Sequence, residues 1–189
     1  ATQYPSLVAL MEESFKKYAG RTAYCFMGRD VSYAQTDSLS RAFAAYLQGL
    51  GLNKGDRVAI MMPNVPQYPV AVAAILRAGL VVVNTNPLYT PREMRHQFTD
   101  SGAKAIVICE NFAANLQAVL PDTQIKTIIV TSIGEMLGFK EDRDGQTVMT
   151  KLNEDMLKRV AAAGKGAYVL ATNADTGIHA LMQDLRSMD

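Results

Sequence analysis

The sequence predicts an α/β fold: parallel-sheet βα units, preceded by a helix–hairpin–helix segment and followed by a short α-β-α tail. Three observations predict it. Runs at 57–62, 80–83, 105–109 and 127–130 are short and nearly all apolar, which suits strands covered by helices on both faces. Helix-like segments at 68–78, 91–100 and 112–120 alternate with them, the pattern of βαβ units. Ahead of these runs, two stretches with helical spacing flank a hairpin signal.

Each element has a local cause. Over 6–18, Leu7, Leu10, Met11, Ser14, Phe15 and Tyr18 share one helical face, and Glu12, Glu13, Lys16 and Lys17 fall largely on the other. Gly20 is the expected stop. The runs 23–27 and 31–33 read as a hairpin around Gly28, Arg29 and Asp30. A second amphipathic helix carries Leu39, Ala42, Phe43, Tyr46, Leu47 and Leu50 as its stripe, with Gly49 and Gly51 at its end. The helix from Pro91 has a strong start: Thr90 caps, Pro91 takes the first turn, and Glu93 reaches back to the Thr90 amide.

The rhythm changes after Gly134. The charged run 140–145 reads as a solvated loop or hairpin tip. A strand over 147–150, a helix capped by Asn153, a strand over 167–171 and a helix over 176–188 complete the tail. Net charge, +2 over residues 1–139 and −1 over 140–189, marks no seam near Phe139.

With 189 residues, the length allows one domain or one and a half. Apolar residues at 49% and charged residues at 20% exclude disorder, collagen and coiled coil as the main architecture. Nineteen basic against eighteen acidic side chains leave +1, which gives no electrostatic footprint for nucleic acid or anionic lipid. No apolar run is long enough to span a bilayer, and no signal-peptide pattern is visible. Cys25 and Cys109 each sit in a short apolar run and are expected to be buried, reduced thiols. With only His96 and His179 beside them, no zinc pattern can be assembled.

The search for chemistry returns little. Asp142, Asp144 and Gly145 resemble part of a calcium loop, but the glycine comes too early and the later oxygen ligands are missing. His96 reads as a surface helix residue, and His179 likewise. The glycine-rich stretch 49–55 precedes a strand instead of following one, so it reads as a helix stop and a turn and not as a phosphate cradle. Read residue by residue, the chain is a soluble α/β protein without a visible catalytic site.

Ordered short matches carry more. Tyr4-Pro5-Ser6-Leu7 opens the first helix, and Val31-Ser32-Tyr33 precedes the second. Asn53-Lys54-Gly55-Asp56-Arg57-Val58-Ala59 turns into a strand, and Met62-Pro63-Asn64 and Gln67-Tyr68-Pro69 follow. Ala78-Gly79 leads through 80–83 to Asn84-Thr85-Asn86-Pro87-Leu88-Tyr89-Thr90. In this order and spacing, residues 4–139 resemble the N-terminal part of the large domain of a bacterial long-chain fatty acid–CoA ligase, of the adenylate-forming (acyl-CoA synthetase) superfamily.

That resemblance implies partners and cofactors. Such enzymes activate a fatty acid with ATP to an acyl-adenylate and pyrophosphate, with Mg2+ on the phosphates, and CoA thiol then displaces AMP. The resemblance implies a cytoplasmic or membrane-associated enzyme. The family's phosphate loop ending in Lys, acidic magnesium ligand, ribose Asp and C-terminal-domain Lys have no counterpart in 1–189. No catalytic, cofactor-binding or metal residue is therefore carried over. Asn86, Pro87 and Tyr89 lie in a motif near the family's substrate side, and a turn leading into a capped helix accounts for them equally. Arg57, Arg77, Arg92 and Arg95 are the cations near this core, on a strand start and helix faces, where solvated roles or salt bridges are expected.

Residues 140–189 are similar instead to the closing part of a von Willebrand factor A domain of the Bat type. Lys140 to Gly145, Thr150-Lys151-Leu152-Asn153-Glu154, Val160-Ala161-Ala162-Ala163-Gly164, Gly166-Ala167-Tyr168-Val169 and Ala171-Thr172-Asn173 carry the likeness. It implies a last strand and helices without that family's metal site, hence an interaction module or a chimeric chain with neither activity.

Overall fold

The structure, a computed structural model, describes residues 4–134 and Met136. The expected α-β-α tail, the boundary at 139 and the von Willebrand-like segment lie outside the described residues.

Helix α1 (Leu7–Lys17) is capped by the Ser6 side chain, which accepts from the Ala9 amide. Only Phe15 of its stripe is buried, while Leu7 and Leu10 are exposed, against the expectation of a covered apolar face. Strands β1 (Thr22–Phe26) and β2 (Arg29–Ser32) pair antiparallel as a separate ribbon. The turn between them is Met27-Gly28 and not Gly28 to Asp30. Both turn residues have positive φ, 48° and 75°, which matches the twist of a two-residue hairpin. The ribbon corrects a second expectation: Cys25 is exposed, because β1 is not sandwiched between layers as Cys109 is. No disulfide joins the two cysteines.

Helix α2 (Tyr33–Gly49) begins with a full capping box: Ser32 accepts from the Gln35 amide, and Gln35 Oε1 accepts from the Ser32 amide at 2.8 Å. Strand β3 (Arg57–Met61), α3 (Gln67–Arg77), β4 (Val81–Asn84), α4 (Pro91–Ser101), β5 (Ala105–Cys109), α5 (Ala113–Val119) and β6 (Thr127–Thr131) follow. The four later strands form one parallel sheet in the order β4-β3-β5-β6, on the runs where the sequence placed them.

Alternation along the central strands fills both faces. Ala59, Met61, Ile106 and Ile108 pack with Met94 and Phe98 of α4 and Leu116 of α5. Val58, Ile60, Ala105, Val107 and Cys109 pack with Leu47 of α2 and Ala71, Ala74 and Ile75 of α3. Every residue of β5 is buried, which is why its sequence shows no polar alternation.

The inner face of α2 is not wholly apolar. Thr36 and Ser40 are fully buried there. Thr36 Oγ1 donates to the Ser32 carbonyl at 2.9 Å and Ser40 Oγ to the Thr36 carbonyl at 2.6 Å. Arg77, at the end of α3, has a side chain only 6% exposed. Its guanidinium donates to Ser40 Oγ, Asp37 Oδ1 and the Asp37 carbonyl, lies 3.5 Å from Glu12, and sits 5.1 Å from the centre of the Phe15 ring. This one cation joins α1, α2 and α3, so the solvated role open to it in the sequence is replaced by a buried ion-pair role.

Arg57 has a comparable task at the other side of the sheet. Its Nε donates to the Ser101 carbonyl at 2.7 Å and its Nη2 to the Gly102 carbonyl at 3.1 Å, holding the end of α4. Gly102 has φ of 58°, and a Cβ there would come within 2.7 Å of Arg57 Nη2.

Burial pushes the Asp37 carboxyl up, but hydrogen bonds from Arg41 and Arg77 outweigh this and hold it below the ordinary carboxylate value. A depressed value in the folded state means the contribution is fully present above the ordinary 3.8 and disappears as pH falls through the folded value. Asp37→Asn should therefore lower the urea midpoint at pH 7, and its midpoint should fall less steeply than the wild type's on acidification below the ordinary value. Parallel acid profiles would contradict this.

Candidate functional site

Ligands in open parallel sheets bind outside the carboxyl ends of the strands, where neighbouring strands send their connections in opposite directions. Here that point lies between β3 and β5, because the chain leaves β3 for β4 on one side and returns to β5 on the other. The segments at this rim are the loop 62–66, the turn after β4, and the 3-10 turn Glu110–Phe112 after β5.

The rim is polar and built from amides and hydroxyls. Asn64 and Asn111 are exposed, and Asn111 Oδ1 accepts from the Cys109 thiol at 3.1 Å. Helix α3 starts without a side-chain cap, since Pro66 occupies the N-cap. Its first residue, Gln67, is buried and donates from Nε2 to the Ser132 carbonyl at 2.7 Å and to Thr131 Oγ1 at 3.3 Å. The start of α3 is thus fastened to the end of β6. Tyr68 donates its hydroxyl to Asn84 Oδ1 at 2.8 Å, and Gln97 Nε2 donates to the Asn84 carbonyl at 2.9 Å.

The motif residues singled out in the sequence form the turn after β4. Asn86 Oδ1 accepts from the Leu88 amide at 3.0 Å, and its carbonyl accepts from the Tyr89 amide at 3.0 Å. Pro87 lies between Asn86 and Leu88, and Leu88 projects 83% exposed from the turn. Tyr89 packs on the core beneath α4. The expected capping box is present: Thr90 Oγ1 accepts from the Glu93 amide, and the Thr90 amide donates to Glu93 Oε2 at 2.8 Å. The bond from the Thr90 amide holds the Glu93 carboxyl below its ordinary value, and the bond from the Thr90 hydroxyl adds to it.

The structure brings Asn86, Pro87 and Tyr89 to the rim, and Arg92 follows them in the first turn of α4. Arg57 lies at the opposite end of β3, Arg77 is buried under α1, and Arg95 pairs with Asp122. Arg92 and His96 lie exposed on α4. No group of three or more His, Cys, Asp or Glu side chains able to hold a metal occurs among the described residues. The rim can orient a ligand by hydrogen bonds. The sequence reading held Asn64 and Gln67 only as residues of matching motifs and missed Asn111, because only the strand order shows which loops share the switch point.

An open α/β sheet wound on both faces, with a polar rim at its carboxyl end, defines the architecture of a ligand-binding α/β domain. The chain belongs to the AMP-binding enzyme family, whose profile it matches over residues 11–170. It is 55% identical over 136 residues to a long-chain-fatty-acid–CoA ligase of Escherichia coli O6:H1, covering 71% of this chain and 24% of that protein. A long-chain-fatty-acid–CoA ligase of Haemophilus influenzae is 48% identical over 139 residues, covering 73% of this chain and 25% of that one. Among solved structures, a benzoate CoA ligase from Burkholderia xenovorans superposes with a TM-score of 0.62 at 26% identity, over 77% of this chain and 29% of that chain. An anthranilate CoA ligase bound to anthranoyl-AMP shares the fold, with a TM-score of 0.65 at 20% identity over 69% of this chain and 26% of that one. The chain spans about a quarter of the length of the curated relatives it matches.

Removing the cap tests how firmly the rim turn is set. Thr90→Ala should cost about 1 kcal/mol in chemical denaturation. Adding Glu93→Ala should cost less than the sum of the two single changes, since both act through one box.

Proposed function

We propose that residues 1–139 are the N-terminal portion of the large domain of an ATP-dependent long-chain fatty acid–CoA ligase, and that 1–189 alone does not complete the reaction. The observation that carries this is the 55% identity to the Escherichia coli ligase over 136 residues. In the proposed reaction a fatty acid carboxylate oxygen attacks the α-phosphorus of ATP and pyrophosphate leaves. The thiol of CoA then attacks the acyl carbonyl and AMP leaves. Both steps put charge on phosphate oxygens that donors, cations and Mg2+ must stabilise.

Among the described residues the rim offers Asn64, Asn86 and Asn111, with Arg92 exposed in the first turn of α4. What they supply is a scaffold. The sheet and its buried helices fix where the loops after β3, β4 and β5 stand, and Asn86, Pro87 and Tyr89 shape the substrate-side turn in this reading. ATP, Mg2+, CoA and the fatty acid are partners of the longer enzyme. No described helix is long and apolar enough to cross a membrane. We place the enzyme in the cytoplasm or at a membrane surface.

A second reading for 140–189 is the closing strand and helices of a von Willebrand A-like segment, either an interaction module without its metal site or part of a chimeric chain with neither activity. The AMP-binding match, which extends to residue 170, counts against it.

Two measurements test the reading. Purified 1–189 should show no fatty-acid-dependent exchange of pyrophosphate into ATP above a heat-inactivated sample. Exchange that EDTA abolishes would show that the chain is itself an adenylating enzyme. Grafting residues 4–139 in place of the matching segment of the Escherichia coli ligase should keep acyl-CoA formation within about tenfold of the parent, or roughly 1.4 kcal/mol. A folded hybrid without activity would refute the ligase reading.

A further inference from the structure

Among the described residues, Thr85 and Gln97 each bury a side-chain oxygen that has no hydrogen-bond partner. Thr85 is only 5% exposed, directly after β4. Its amide donates to the Ile60 carbonyl at 2.9 Å, so it continues the strand pairing and its side chain follows the strand's alternation. Val83, two residues earlier, packs in the core with Met94 and Phe98 of α4, which puts Thr85 on the same face. Asn84 points the other way, to Tyr68 of α3. Gln97 lies on α4, and its Nε2 donates to the Asn84 carbonyl at 2.9 Å, the carbonyl joined to the Thr85 amide. Both orphaned oxygens therefore belong to one small region between the end of β4 and the second turn of α4.

The chemistry of the two atoms defines what is missing. Gln97 Oε1 can only accept, and Thr85 Oγ1 can donate one proton and accept others. The two do not bond to each other, and neither is reached by solvent. A molecule that accepts from the threonine and donates to the amide oxygen satisfies both. Water does so, and buried polar groups left over in a packed region are commonly completed by one internal water.

We propose that a single internal water bridges Thr85 Oγ1 and Gln97 Oε1 and fixes the 85–90 turn onto α4. The bridge is a positioning device. With Gln97 Nε2 on the Asn84 carbonyl, it ties Gln97 to both the Asn84–Thr85 peptide and the Thr85 side chain. The Leu88 and Tyr89 amides, both bonded to Asn86, report on the rigidity of that turn. The inference is independent of whether the chain takes part in acyl-CoA synthesis.

The test uses the full 189-residue chain. A high-resolution crystal structure should show a water peak about 2.7–3.2 Å from both oxygens. Thr85→Ser should keep the peak and the slow amide exchange at Leu88 and Tyr89. Thr85→Val should lose the peak and speed exchange at those amides on the order of tenfold, with exchange in β5 unchanged. An empty site, a direct Thr85–Gln97 hydrogen bond, or unchanged exchange in Thr85→Val would each overturn the proposal. If Thr85→Val does not fold, the wild-type and Thr85→Ser peaks decide it.

Discussion

A parallel sheet whose two central strands carry apolar residues on both faces must be covered on both faces, and the rest of the molecule follows from that constraint. Strands β3 and β5 send alternate side chains into two separate cores. Helices α2 and α3 close one core, and α4 and α5 close the other. Because each crossover helix must lie over the sheet, the loops that leave the strand ends gather at one rim. The position of the candidate site is a by-product of covering the sheet.

The covering is not achieved by apolar contact alone. Where α1, α2 and α3 meet, Arg77 is drawn inside, hydrogen-bonded to Asp37 and Ser40 and ion-paired with Glu12, with Phe15 against its face. Removing one member of such a group strands the others, whereas an apolar replacement of the whole set would be tolerated better. The group therefore specifies how the three helices sit together more than it adds stability. Asp56 is used in a related way: it accepts from the Asn53 amide and pairs with Lys104 at 3.0 Å, fixing the turn into β3.

Much of this was legible in the residues. The four apolar runs and the Thr90 box act through local spacing, and the strands and the cap stand where the spacing placed them. Periodicity marks apolar residues only, so it passed over Thr36, whose hydroxyl is satisfied within its own helix, and Ser40, which meets Arg77 from another helix. Cys25 looked like Cys109 because both sit in apolar runs, yet burial depends on whether a second layer covers the strand. The rim was the least legible part. Asn64 and Asn111 are 47 positions apart and reach the same rim only because β3 and β5 are adjacent.

The contact between Arg57 and Gly102 has a consequence for inheritance. The guanidinium occupies the space a side chain at 102 would need, and the left-handed backbone there adds a second demand for glycine. The two positions form one unit, with the arginine closing the helix end and the glycine making room for it. Across relatives that keep this strand and helix, a change at 102 should be accompanied by a change at 57. A lineage that loses the arginine is released from only half of the constraint on the glycine.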